Sequence, residues 1–176
     1  MKNWDTGSML SDTAIAHSSP GELFALYRMI LNELRRRGIV RTANAPAGDY
    51  AEFLVATALS GSLAPNSEKS YDVLAGGRRL QVKCRVVSAQ ARVGQLQLSP
   101  FRSFDFDDAV IVLLADDDYS VRRATRVPVP LIQSAARFSA HVNGHVVHAR
   151  PGLLGEPGTE DLTSRLRAAS QPSMYA

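Results

Sequence analysis

The run Ala109-Val110-Ile111-Val112-Leu113-Leu114-Ala115 constrains this chain more than any other stretch. It has the length of a strand, offers no polar position, and is closed by Asp116-Asp117-Asp118. A strand that faces water on one side alternates apolar with polar residues, whereas one that is apolar throughout has to be covered on both faces. A fully buried central strand is therefore predicted here. The chain can supply the cover: of its 176 residues 45% are apolar and 21% charged, which suits one well-cored domain and is too little for two. No apolar run approaches the length of a membrane span, so a soluble chain with no membrane partner is expected.

Helix signals precede this run. Ser19-Pro20-Gly21-Glu22 reads as a capping box with proline at the first helical position. Leu23, Leu26, Tyr27, Ile30, Leu31 and Leu34 then recur at helical spacing up to a stop at Gly38. Arg35, Arg36 and Arg37 in the last turn complement the negative end of the helix dipole. A second helix is predicted over 48–60, with Tyr50, Phe53, Leu54, Thr57 and Ala58 on one side and Glu52 near its start, followed by a brief strand over 62–64. Gln95–Leu98 alternates like a short strand. Beyond the apolar run, 119–127 reads as a polar edge strand ended by Pro128 and Pro130, and 131–138 as a short helix. The segment 151–158 reads as a loop, and 159–169 as a closing helix capped by Thr159. Residues 1–18 read as a flexible leader and 170–176 as a frayed tail, which leaves 19–169 as a single α/β domain.

Between these elements lies Ser70–Arg85, two strand-like runs on either side of Gly76-Gly77, a pair that supplies the positive φ angles of a tight hairpin turn. Closing the turn there sets Ala75 opposite Arg78, Leu74 opposite Arg79, Val73 opposite Leu80, Asp72 opposite Gln81 and Tyr71 opposite Val82. Directly paired residues share a face. One face then carries Tyr71, Val73, Ala75, Leu80, Val82 and Cys84; the other carries Asp72, Gln81, Lys83 and Arg85, with Leu74 its only apolar member. Phosphodiester hydrolysis needs a hard cation on oxygen ligands, an activated water and neutralised phosphate charge. Asp72 offers a carboxylate, Gln81 an amide oxygen, Val82 its backbone carbonyl and Lys83 an ammonium. Glu52, on the helix just upstream, can bind a cation or polarise the nucleophile.

Asp72, then Gln81-Val82-Lys83 on the second strand of a hairpin, with Glu52 on the preceding helix, resembles the PD-(D/E)XK nuclease superfamily, and the glutamine variant is similar to that of Mrr-like methylation-dependent restriction enzymes. The resemblance spans about Gly48 to Ala115. It implies a restriction-endonuclease-like α/β core, a central mixed β-sheet flanked by helices placed at about 48–127, and Mg²⁺- or Mn²⁺-dependent cleavage of DNA of the restriction or defence kind. The implied catalytic set is Glu52, Asp72, Gln81 and Lys83, with a metal on Asp72, Gln81, the Val82 carbonyl and Glu52. Three features depart from the pattern. Ser70-Tyr71 stands where proline often precedes the aspartate, Gln81 replaces the commoner glutamate, and 88–107 carries only a weak helical signal where the family places a helix. One such site cuts one strand, so duplex cleavage calls for a homodimer or two successive nicks. The glutamine keeps open a second expectation, a non-catalytic nucleic-acid-binding or protein-interaction module on a degenerate nuclease fold.

Net charge is +3, and basic residues gather around the hairpin. Arg78, Arg79, Arg85 and Arg102 are candidate phosphate contacts to DNA. Cys84 is the only cysteine, which fits a reducing, cytoplasmic setting, and its place on the apolar face makes it a small buried hydrophobe rather than a nucleophile. His141, His145 and His148 flank the hairpin turn Asn143-Gly144, where strand alternation sends His145 and His148 to opposite faces and speaks against a shared metal.

Overall fold

The computed structural model describes residues 12–42, 46–65, 67–68 and 70–170. Residues 1–11 of the expected leader and 171–176 of the expected tail lie outside them. The chain divides into two compact units, Met1–Asn44 and Ala45–Ala176. In the first, α1 (Asp12–His17) occupies the end of the segment expected to be flexible. Next comes α2 (Pro20–Arg36), which opens with the expected capping box. The Ser19 hydroxyl accepts the Glu22 N–H at 3.4 Å, and the Glu22 carboxylate accepts the Ser19 N–H at 2.9 Å. Glu33 takes two of the terminal arginines, Arg36 and Arg37, at 2.7 and 2.8 Å, so these cations are held by a carboxylate as well as by the helix end.

The second unit is an α/β fold built on a central six-stranded mixed sheet flanked by helices. It begins with α3 (Ala47–Ala58), β1 (Ser62–Leu63), β2 (Val73–Ala75), β3 (Arg78–Val87), β4 (Asp108–Ala115) and β5 (Val121–Pro128). There follow α4 (Val129–Ala135), the hairpin β6 (Arg137–Ser139) and β7 (Gly144–Val146), α5 (Pro151–Leu154), β8 (Glu160–Asp161) and α6 (Thr163–Ala169). The sheet order is β1-β2-β3-β4-β5-β8, with β3 and β4 parallel and every other neighbouring pair antiparallel.

Every position of β4 is buried, as its apolar run requires. Val110, Val112 and Leu114 enter a core with Leu54 and Val55 of α3 and Leu166 of α6. Ala109, Ile111 and Leu113 enter a second core with Phe101, Phe106, Ile132 and Leu154. The connection from β3 to β4 contains one short 3₁₀ turn, Val93–Leu96, instead of the α-helix expected of such a crossover. Phe101 and Phe106 do the covering, because two buried rings shield a strand face as well as a short helix does.

Several local expectations change. β5 lies inside the sheet rather than at its edge, although β8 pairs only with Thr125 and Arg126, which explains why β5 still reads as polar. Gln97 joins His148 by an isolated bridge in place of a strand over 95–98. The helix expected over 131–138 starts at Val129 and gives way to β6, Pro151–Leu154 is helical, and Thr159 caps nothing because Glu160–Asp161 pairs with the sheet first.

A candidate active site at the open edge of the hairpin

Gly76 and Gly77 both take positive φ, +57° and +74°, and the ladder runs Val73–Leu80, Leu74–Arg79 and Ala75–Arg78, the register read from the sequence. β2 then stops at Val73 while β3 continues to Val87. Asp72 sits in a bend instead of facing Gln81 as a ladder partner. Its main chain is fixed on both sides: its N–H donates to the Leu80 carbonyl at 2.9 Å and its carbonyl accepts from Ala64 at 2.8 Å. Tyr71, expected on the face of Val73, packs with the second core, because outside the ladder no pleat dictates its side.

The bend gives the aspartate its place. N–H and C=O of one strand residue point to the same edge, so both groups of Val82 face the gap that β2 has left. The Asp72 carboxylate fills that gap: Oδ2 accepts the Val82 N–H at 2.7 Å and also a hydrogen bond from Gln81 Nε2. Held by its nitrogen, Gln81 has its amide oxygen left over, an atom that could ligate a cation. The Val82 side chain joins the first core, while Gln81 and Lys83 lie on the other face beside Ala109 and Ile111.

Lys83 is largely enclosed. Its Nζ lies 3.4 Å from the Pro100 carbonyl and 4.9 Å from the centre of the Phe101 ring. Burial pushes its pKa below the usual lysine value; the charges of Asp72 and then Glu52 pull it back up, and Arg102 adds to the lowering. Lys83 therefore feels both candidate carboxylates at once. Glu52, half-buried, stands on α3, the helix that packs against β3, and its charge is felt at Lys83. The platform under Lys83, Pro100-Phe101, escaped sequence reasoning. Its only signal was the cluster Phe101, Phe104 and Phe106, which does not say which element the rings will cover.

The four candidate phosphate-binding arginines already have partners. Arg78 forms a two-pronged pair with Asp108, at 2.6 and 2.9 Å, and Arg79 pairs with Asp107 at 3.3 Å. Arg85 donates to the Gln95 carbonyl at 3.0 Å, and Arg102 to the Val142 and Asn143 carbonyls. Of these, Arg102 alone acts on Lys83 electrostatically. Cys84 belongs to the fringe of the first core, as its face demanded, and burial pushes its thiol up to about 12. His145 lies against Phe104 with ring centres 4.7 Å apart and the rings tilted by 54°, while His148 lines a separate cavity. Among the described residues no three His, Cys, Asp or Glu side chains come together as a metal-binding group.

The groups that could serve as donors are nonetheless all oxygen: the carboxylate of Asp72, the carbonyl of Val82 and the amide oxygen of Gln81 at the open edge, and the carboxylate of Glu52 on α3. Such hard donors, few in number, fit Mg²⁺ or Mn²⁺, which fill their remaining positions with water. Compared with protein-family models and with curated proteins, the chain matches none.

Proposed function

We propose that this chain is a Mg²⁺- or Mn²⁺-dependent DNA endonuclease on a restriction-endonuclease-like core, with its site at Asp72, Gln81, Lys83 and Glu52. The observation that carries this reading is the junction at the end of β2, where an aspartate, a strand carbonyl and an enclosed lysine under the influence of a second carboxylate share one small region. A bound divalent cation supplies electrophilic pull on a phosphate oxygen and a more acidic water. The chain's own part is positional. Asp72 is locked by Leu80, Ala64 and Val82, so its carboxylate stands ready without reorganisation. Lys83, held over Phe101, offers an ammonium to the phosphate or to the attacking water. One site cuts one strand, so duplex cleavage on this reading uses two copies of the chain or two nicks. The lone thiol of Cys84 suits a cytoplasmic setting.

Nicking of supercoiled plasmid tests the proposal. The expected result is cutting in Mg²⁺ or Mn²⁺ that EDTA stops and that Asp72→Asn and Lys83→Ala each abolish. Cutting that survives both substitutions overturns the assignment.

One observation favours a second reading, a nucleic-acid-binding or protein-interaction module without catalysis: Gln81 is hydrogen-bonded directly to Asp72, so two members of the cation set satisfy each other. Calorimetric titration with Mn²⁺ separates the two. Binding supports the enzyme, and none at millimolar concentration with the fold intact supports the module.

A further inference from the structure

A cavity of about 580 Å³ opens between the end of α4, the β6–β7 hairpin and the start of α5. Arg137, His148 and Arg150 line it, with Ala135, Val146 and Leu153 among its apolar walls, and no acidic side chain does. The strand register explains the convergence. Arg137 pairs with Val146 across the hairpin and so shares its face, and His148, just beyond β7, lines the cavity with them. The Gln97–His148 bridge and the Ala149 N–H donated to the Leu96 carbonyl fix the chain that carries Arg150.

These two arginines differ from their neighbours. Arg78, Arg79, Arg122, Arg126 and Arg165 rest on carboxylates, and Arg85, Arg102, Arg123 and Arg167 donate to carbonyl groups. Neither Arg137 nor Arg150 has such a partner among the described residues. Both arginines are exposed, so water hydrates them in the free chain, but no carboxylate among the described residues neutralises them, and the concavity is left with a positive charge that suits a compact anion. Guanidinium forks match phosphate oxygens, while the apolar walls favour a body attached to the phosphate rather than the bare ion. The volume falls in the range of about 300–1,000 Å³ usual for small-molecule sites.

We propose that this cavity binds a phosphate group carried on a compact organic body, of which a nucleoside monophosphate is the fitting size. The phosphate belongs either to a free nucleotide or to the end of a nucleic-acid strand. The site is separate from the open edge of the hairpin and stands whether or not the chain cuts DNA.

Calorimetry on the full chain with adenosine 5′-monophosphate, adenosine and a 5′-phosphorylated single-stranded oligonucleotide tests it. The expected result is saturable one-site binding of the nucleotide, weakened about tenfold or more, about 1.4 kcal/mol, in Arg137→Ala and in Arg150→Ala. Adenosine binds correspondingly worse, while Arg35→Ala leaves the affinity unchanged. Binding of the phosphorylated oligonucleotide alone, lost in the same two variants, assigns the phosphate to a strand and upholds the site. Absence of binding for both phosphorylated ligands at millimolar concentration, or affinity unaltered in both arginine variants with circular dichroism unchanged, overturns it. Retained nucleotide binding by a chain that shows no nicking rejects the nuclease reading and leaves this site in place.

Discussion

Asp72 Oδ2 accepts the main-chain N–H of Val82 at 2.7 Å, just past the last β2–β3 pair, where β3 keeps only β4 as a neighbour. The carboxylate thus completes the backbone pairing that a longer β2 would have supplied, which gives it a structural duty separate from any chemistry. The two duties come apart by substitution. Asp72→Ala leaves the Val82 N–H without this acceptor and costs about 1–3 kcal/mol. Asp72→Asn keeps an acceptor oxygen and removes the charge, so its urea midpoint stays close to that of the parent while metal-dependent nicking disappears. Equal loss of stability in both variants would show that the charge, not the hydrogen bond, holds the hairpin mouth.

On the proposed reading, Gln81 sets how strongly the edge would hold a cation. Gln81→Glu replaces a donor to Asp72 by a second carboxylate, so without divalent metal the variant is expected to lose about 1.5–3 kcal/mol at neutral pH, the range for a hydrogen bond to a charged group. A cation that neutralises the pair binds the folded state selectively and restores the loss. Thermal melts in EDTA and in millimolar Mn²⁺ check this: the expected pattern is a lower midpoint that recovers with metal. A variant that is destabilised equally in both conditions rejects the metal set.

The hairpin was legible because Gly76-Gly77 fixes the turn, and the turn fixes the register of every pair up to Val73–Leu80. β4 was legible because an uninterrupted apolar run has one physical outcome. What failed did so where pairing is not local. Tyr71 moved to the second core because the ladder stopped at Val73–Leu80, two pairs short of it. β5 gained a neighbour from Glu160–Asp161, a two-residue strand with no pattern of its own. The site was half legible: residue types and the Asp72–Gln81 approach follow from the turn, whereas the enclosure of Lys83 comes from Pro100 and Phe101, placed by a long connection whose path no periodicity encodes.

Arg78, a candidate phosphate contact, also has a structural partner. Its partner Asp108 is 2% exposed at the start of β4, and the fork donates to both carboxylate oxygens. Arg78→Ala leaves that carboxylate buried with its principal counter-charge gone. Because the arginine itself is half exposed, the expected loss is about 1.5–3 kcal/mol, the range for hydrogen bonds to charged groups, rather than the larger figure for a fully buried pair. A chemical-denaturation midpoint checks it. A phosphate contact would instead leave stability unchanged and weaken DNA binding with a reduced salt slope.

Lys83 makes the stability of the fold depend on alkaline pH. Its folded pKa lies below the unfolded lysine value of about 10.4, since enclosure by Pro100 and Phe101 outweighs the pull of Asp72 and Glu52. Below the folded pKa both states carry the proton, and the full penalty of an enclosed ammonium is present. Between the folded and unfolded values the unfolded chain binds more protons, so stability rises with pH across that window. Lys83→Met removes the penalty and keeps much of the apolar stem. Its urea midpoint at pH 7 is expected to equal or exceed that of the parent, and the advantage to shrink as pH climbs toward 10. Metal-dependent nicking is lost at every pH. A variant less stable than the parent at pH 7, with a gap independent of pH, would mean that the ammonium's contacts with Pro100 and Phe101 outweigh its desolvation, and that Lys83 is held for structure rather than kept ready for chemistry.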